Sequence, residues 1–199
     1  YADEMRKMRE EGRIGRVPYE PSKPVYTFWD LGFGDNTAIW FVQSVGMQVR
    51  VIDYYSANRQ PLTHYVQMLQ SRGYVYAEHG LPHDARHANL GTGKTVQEML
   101  EELGLKIRIV PQVGIDNGIQ AVRRVMPNVW IDDKCADGIR CLEYYHYETN
   151  KDGGAHAKPA HDWSSHGADA FRYFAVGFEE KTATPLKIKP PRSRNAWMG

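Results

Sequence analysis

The stretch Val25-Tyr-Thr-Phe-Trp-Asp30 organises the interpretation of this chain, because it is a strongly β-forming run that ends in a carboxylate. Two further runs rich in β-branched and aromatic residues follow at residues 37–45 and 47–55. A glycine-rich connection separates the first two runs, and Val45-Gly46 marks a tight turn before the third. The pattern predicts an antiparallel meander of three strands.

Helical and extended segments alternate beyond the meander. Apolar spacing and stop signals predict helices at residues 61–72, 95–103, 115–126 and 134–145, and a last helix that begins at Ser164 or Ser165 and runs to about residue 178. Short strands are expected at residues 74–78, 106–110 and 129–131. The order predicts an α/β domain whose mixed central sheet has three antiparallel strands, then parallel strands, with helices on both faces. This arrangement resembles ribonuclease H-like folds.

Three aspartates lie where such a sheet would gather them. Asp30 ends the first strand, Asp84 follows the fourth, and Asp169 lies on the last helix. Carboxylates brought together repel one another unless a cation separates them, and Mg²⁺ or Mn²⁺ prefers oxygen ligands. Each aspartate also has a plainer explanation: a turn residue for Asp30, a helix cap for Asp84, and an ion pair with Arg172 for Asp169.

Several neighbouring residues are secondary candidates. Asp35 is a turn residue or an additional metal ligand, and His83, next to Asp84, is a possible phosphate contact. His166, one turn before Asp169, either hydrogen-bonds Asp169 or the substrate, or caps the last helix. His79, His83 and His87 are spaced four apart, but Gly80 and Pro82 interrupt the helix that a zinc site on them would need. Gly91-Thr-Gly-Lys-Thr95 imitates a phosphate-binding loop without its first glycine, so Thr95 is interpreted as a helix N-cap.

Length and composition are those of one ordinary domain. The chain has 199 residues, a net charge of +1, two cysteines and no apolar run long enough to span a membrane. Residues 1–24, which are charged and then proline-rich, are interpreted as a linker from an upstream domain. Residues 179–199 carry basic residues and prolines and are interpreted as a flexible basic tail.

A family resemblance rests on two motifs, Trp29-Asp-Leu-Gly32 and, more specifically, His161-Asp-Trp-Ser-Ser-His-Gly-Ala-Asp-Ala-Phe-Arg-Tyr173. From about residue 25 to 178, the chain resembles the C-terminal nuclease domain of the large terminase subunit of tailed double-stranded DNA bacteriophages. The resemblance implies a ribonuclease H-like nuclease that acts on concatemeric viral DNA in the host cytoplasm. It matches Asp30, Asp84 and Asp169 to the three metal-binding acids, with Glu78 as the rival of Asp84. It also implies an ATPase domain in the same full-length chain, and a small terminase subunit and portal protein as partners.

The function expected from the sequence is therefore cutting of double-stranded DNA by two metal ions, with little sequence specificity. Asp30 would bridge the ions, while Asp84 and Asp169 would hold one each. Cationic side chains near the cleft would contact the DNA backbone; the candidates are Arg86, Lys94, Lys151 and Lys158. Two alternatives stay open: another ribonuclease H-like nuclease of the Holliday-junction resolvase or transposase type, and a non-catalytic DNA-binding or docking domain.

Overall fold

The computed structural model describes residues 1–32, 35–88, 93–148 and 158–183. Its centre is a seven-stranded sheet in the order β1-β7-β4-β3-β2-β5-β6. The strands are β1 (Ile14–Gly15), β2 (Val25–Asp30), β3 (Asn36–Val45), β4 (Gln48–Asn58), β5 (Tyr76–Leu81), β6 (Ile107–Ile109) and β7 (Val129–Asp132). Strands β2, β3 and β4 pair antiparallel, and β5, β6 and β7 add in parallel, as the sequence predicted. Strand β1, which the sequence did not predict, also adds in parallel.

Helices cover both faces of the sheet. They are α1 (Ala2–Glu10), α2 (Leu62–Ser71), α3 (Val96–Glu102), α4 (Ile115–Val125), α5 (Ala136–Tyr144) and α6 (Ser165–Ala183). Apolar residues of α1, α4, α5 and α6 share one core with the sheet, and those of α2 and α3 share a second core on the other face. Because side chains alternate along each strand, one sheet supplies both cores. The predicted α/β, ribonuclease H-like arrangement is confirmed.

Part of the segment 1–24, which the sequence analysis interpreted as a linker, packs against the domain. Met5 and Met8 of α1 are fully buried in the larger core, and β1 adds to the edge of the sheet beside β7. Arg13 is also buried, and its guanidinium donates hydrogen bonds to the carbonyls of Met126 and Val129 at 2.7 and 2.9 Å. Buried polar groups of this kind must be paired, so this segment is held by specific contacts.

Strand direction determines which residues meet at each edge of the sheet. Strands β2 and β5 run parallel, with Phe28 opposite Gly80. The carboxyl end of β2 therefore lies beside the end of β5, which leads into a 3-10 turn at His83–Arg86. Asp30 and the turn that carries Asp84 consequently occupy the same edge.

Two sequence predictions fall wholly or mainly on residues outside those described. The first concerns Lys151, and the second the basic tail at residues 179–199, of which α6 occupies the part up to Ala183. Within the described ranges, no helix is both long and apolar enough to cross a membrane.

Candidate metal and nuclease site

Asp30 points from the end of β2 toward helix α6. Phe28, two residues earlier on the same face of the strand, contacts Phe174 of α6 with ring centroids 5.5 Å apart. Asp30 in turn accepts a hydrogen bond at 2.8 Å from Nδ1 of His166, in the first turn of α6. This bond raises the pKa of His166, with burial opposing the effect. The predicted helper His166 thus contacts Asp30, and not Asp169, the acid that the sequence suggested as its partner.

Asp169 lies on the same helix, three residues after His166. Its Oδ1 atom is 3.0 Å from the Arg172 guanidinium and 3.5 Å from the Tyr145 hydroxyl, which donates to it. Burial raises the pKa of Asp169; Arg172 opposes this shift, and the charge of Asp30 adds to it. The Arg172 pair expected from the simplest interpretation exists, but the same carboxylate also lies within electrostatic range of Asp30. Asp169 therefore forms an ion pair with Arg172 and also lies close enough to Asp30 for the two charges to interact.

Asp84 is the most exposed of the three acids and lies in the turn after β5. Asp84 is near the other two acids at Tyr173. The pKa of the Tyr173 hydroxyl is raised to about 12, mainly by burial and then by the charges of Asp30, Asp169 and Asp84. All three carboxylates therefore lie close enough to influence this hydroxyl, which is on α6. Among the described residues, however, their oxygens do not come within 4.8 Å of one another as a set of three.

Glu78, the rival of Asp84, lies elsewhere along the sheet. It is opposite Tyr26, four residues before Asp30, which corresponds to about 13 Å along a strand. Its carboxylate is 3.3 Å from Arg108 and 3.6 Å from Lys106, and Arg108 also donates to the carbonyl of Gly177 far along α6. These contacts assign Glu78 to an ion-pair cluster at some distance from Asp30.

A second group of possible ligands adjoins Asp30. Asp35, His161 and His166 each bring one ligand atom to within 4.8 Å of the others, and His161 Nε2 is 3.8 Å from Asp35 Oδ2. These residues line a cleft of about 260 Å³ together with Trp163. Sequence reasoning proposed Asp35 as an extra ligand but missed His161, although that residue opens the motif that contains His166.

Gly167 is a further residue that sequence reasoning missed. A Cβ placed there would lie 2.6 Å from Cβ and 2.7 Å from Sγ of Cys141, and 3.1 Å from the Tyr54 hydroxyl. The carbonyl of Gly167 also accepts a 2.8 Å hydrogen bond from the indole of Trp40. Only a residue without a side chain allows α6 to approach α5 this closely at the turn that carries His166 and Asp169.

The predicted DNA-contacting cations differ in their surroundings. Arg86 and Lys158 are exposed, whereas the Lys94 ammonium contacts both carboxylate oxygens of Glu102 at 2.7 and 2.8 Å. Thr95 caps α3 through a capping box with Glu98, as the sequence predicted. The predicted helper His83 lines a cleft of about 170 Å³ with Arg172 and Tyr173, and so lies beside the Asp169 network.

The residues present are suited to hold a hard divalent cation. Asp30, Asp84 and Asp169 offer carboxylate oxygens, the donors that Mg²⁺ and Mn²⁺ prefer. The surroundings of Asp169 test this fit: the residue is half-buried, and burial and the charge of Asp30 penalise its ionised form, which raises its pKa although Arg172 opposes the shift. A cation between Asp30 and Asp169 would relieve that penalty.

Solved structures provide an independent comparison with this architecture. The large terminase from a thermophilic bacteriophage, in complex with ADP, matches with a TM-score of 0.69 and 15% identity, over 86% of this chain and 44% of that one. The nuclease domain of the P22 large terminase matches with a TM-score of 0.63 and 14% identity, over 83% and 86%. The nuclease domain of the g2p large terminase from bacteriophage SPP1, solved with bound Mn, gives 0.59 and 17%, over 84% and 95%.

These comparisons establish the fold. The chain spans less than half of the ADP-bound thermophilic terminase but corresponds to most of the P22 and SPP1 domains. No protein-family model and no curated protein sequence matches the chain. The chain therefore has the ribonuclease H-like fold of the large terminase nuclease domains, and the resemblance drawn from the sequence is confirmed at this level.

Proposed function

We propose that this chain is a divalent-metal-dependent endonuclease domain that cuts concatemeric viral double-stranded DNA during genome packaging. The observation that carries the proposal is the position of Asp30 at the end of β2, in contact with the first turn of α6, which also carries Asp169, while Asp84 lies on the turn after the neighbouring β5. The fold adds support, since the SPP1 nuclease domain of the same fold was solved with Mn.

The contacts of the acids support a role for each of them. Asp30, which contacts His166 and is near Asp169, would be a ligand to two Mg²⁺ or Mn²⁺ ions, and Asp84 and Asp169 would hold one ion each. Bound ions would supply an activated water and would stabilise the leaving oxygen of a phosphodiester. His166 orients Asp30 by donating Nδ1–H to it, and Arg172 and Tyr145 hold Asp169. Contacts of this kind support metal ligands in many proteins.

DNA would be held through its phosphates. Arg86 and Lys158 are exposed cations suited to this role, and phosphate contacts carry no base information, so cutting should show little sequence specificity. The terminase solved with ADP is more than twice as long as the region that this chain matches, which supports a longer chain with an ATPase domain here as well. The proposed partners are the small terminase subunit and the portal protein, and the proposed location is the host cytoplasm.

Plasmid cutting with Mg²⁺, Mn²⁺ or a chelator tests the proposal. Asp30→Asn, Asp84→Asn and Asp169→Asn should each abolish nicking while the melting curve without metal shows a folded protein. Glu78→Gln should still cut, because Glu78 lies about 13 Å along the sheet from Asp30. Asp133→Asn is a matched control, since Asp133 is exposed and follows β7, three strands from β2.

The outcomes separate the alternatives. Normal cutting by Asp30→Asn would reject the metal site, and metal-independent binding without any cutting would favour a docking domain. Loss of cutting in Glu78→Gln with normal cutting in Asp84→Asn would reassign the middle ligand. Selective cutting of four-way junctions over linear duplex would favour the resolvase type.

A further inference from the structure

Large aromatic side chains are exposed in one small region beside the candidate site. Among the residues that the structure describes, the exposed large aromatics are Tyr144, Tyr147 and Trp163, of which Tyr144 is 61% and Trp163 50% exposed. The Tyr144 and Trp163 rings lie 5.6 Å apart, with their planes inclined by 52°. The Arg140 guanidinium lies 5.5 Å from the centre of the Trp163 ring. We call Arg140, Tyr144 and Trp163 the aromatic platform.

The aromatic platform is continuous with the acids. Trp163 lines the 260 Å³ cleft that contains Asp35 and His161, and also a second cleft of about 180 Å³ that contains Arg140 and Tyr54. His166 lines both clefts, and its Nδ1 atom is 2.8 Å from Asp30. A ligand that lies on the platform would therefore reach the groups that approach the scissile bond.

The chemistry of the platform favours a nucleobase over a phosphate. Exposed aromatic faces stack on bases without regard to sequence, and an adjacent arginine adds a cation–π contribution. Asp137 also lines the second cleft, and its carboxylate would repel a phosphate but can accept a hydrogen bond from a base amino group. Bases of an intact duplex stack on one another, so their faces are not accessible. The matching ligand is an unpaired base.

We propose that the aromatic platform binds an unpaired base of the DNA strand next to the bond that is cut. The proposal rests on the nuclease function proposed above and adds a substrate preference to it. DNA with unpaired bases near the cut, such as a bubble, then binds more tightly than intact duplex. The sequence signal is Trp163 itself, which lies within the motif from His161 to Tyr173 but has no role in holding the acids.

Binding measured without cutting tests the proposal. Fluorescence anisotropy with a chelator present compares a labelled duplex with the same duplex that carries a short central bubble. Because stacking on an aromatic side chain contributes about 1–3 kcal/mol per base, Trp163→Ala should weaken bubble binding about 10-fold and leave duplex binding nearly unchanged. Trp163→Phe keeps an aromatic face and should restore most of the difference. Tyr144→Ala provides a second variant with a smaller loss.

Met47→Ala is the control variant. Met47 is 92% exposed, in the turn at the end of the β3–β4 hairpin farthest from Asn36, so its removal should change neither affinity. The proposal would be overturned if folded Trp163→Ala and Tyr144→Ala lost affinity for both DNAs by the same factor, or if neither variant lost affinity for either DNA. In the second case, the exposed rings would be assigned to contact with a protein partner. Asp30→Asn should keep the bubble preference while losing cutting. Failure of the platform is thus distinguishable from failure of the nuclease assignment.

Discussion

His166 Nδ1 lies 2.8 Å from Asp30 Oδ2, which joins a residue of α6 to one at the end of β2. The two residues are 136 positions apart in the chain, so the contact exists only when α6 is docked on the sheet. Because a carboxylate can only accept, the imidazole donates and fixes the orientation of Asp30. The contact links correct packing of the helix to the geometry of the candidate metal site.

Substitution of His166 should weaken metal binding without removing it. His166→Phe removes the donor to Asp30, and loss of such a supporting contact commonly lowers metal affinity about 10- to 100-fold. We expect the Mn²⁺ concentration needed to raise the melting temperature to increase by a similar factor. His64→Gln is a control, since His64 contacts Tyr55 outside the site. An unchanged Mn²⁺ midpoint in His166→Phe would show that Asp30 does not depend on this bond.

Gly167→Ala should disturb both stability and the site. The added methyl group would press on Cys141 and Tyr54, and overpacking in a core typically costs about 1–3 kcal/mol. Because Gly167 lies between His166 and Asp169, relief of the clash by movement of α6 should also weaken the response to Mn²⁺. Gly15→Ala is the matched control, because a Cβ there meets nothing within 4 Å. Denaturant unfolding that shows no difference between the two variants would mean that α5 and α6 have room to separate freely.

The order of the elements could be predicted from the sequence because each strand and helix has its own periodic pattern. The predicted β2 matches the observed Val25–Asp30, and Thr95 caps α3 as expected. Asp30, Asp169 and His166 could therefore be placed together from topology. Local sequence signals are enough to position a site residue that lies at the end of a strand or the start of a helix.

The choice between Asp84 and Glu78 could not be made from the sequence, because it depends on where β5 ends. The apolar run stops at Glu78, so the predicted strand ended at that residue. The observed strand continues through His79 and Gly80 to Leu81. Glycine is a weak strand former, but pairing with both β2 and β6 keeps Gly80 in the strand. The strand end therefore moves to the turn that carries Asp84.

Long-range packing explains what else was missed. Met5 and Met8 are buried by core residues that are distant in the sequence. The local sequence of α6 does not require glycine at position 167. The requirement comes from the close approach of Cys141, which lies on helix α5. Neither relationship has a local sequence signal.

Buried His79 should make the protein less stable at acid pH. Burial lowers the pKa of His79 from 6.5 to about 4. Trp29 donates to the Thr27 hydroxyl at 2.6 Å, so that hydroxyl can direct its own proton to His79 Nδ1 at 2.7 Å, which requires a neutral ring. As the pH falls from 6.5 toward 4, the unfolded chain binds a proton that the folded chain does not. The free energy of unfolding therefore falls over this window and is fully retained above it.

The size of this effect can be measured by difference. His79 should account for a loss of about 2 kcal/mol in the free energy of unfolding between pH 7.5 and pH 5, a loss that His79→Gln should not show. Urea unfolding of both proteins at the two pH values, without metal, gives the comparison and cancels the other histidines. Parallel losses in the two proteins would show that His79 is protonated in the folded state or that its hydrogen bond survives protonation.

The exposed cations should differ from the paired one in their contribution to DNA binding. Arg86 and Lys158 are exposed, so each phosphate contact they make should release about one counterion, and each alanine substitution should reduce the slope of log affinity against log salt by about 1. Lys94→Ala should change the slope less, because its ammonium is 2.7 and 2.8 Å from the two oxygens of Glu102. Duplex affinity over a range of NaCl concentrations, with a chelator present, provides the measurement. If Lys94→Ala lowers the slope as much as Arg86→Ala, Lys94 must leave Glu102 for the DNA, and the contact surface extends to α3. If neither Arg86→Ala nor Lys158→Ala changes it, the duplex approaches the acids from another side of the sheet edge.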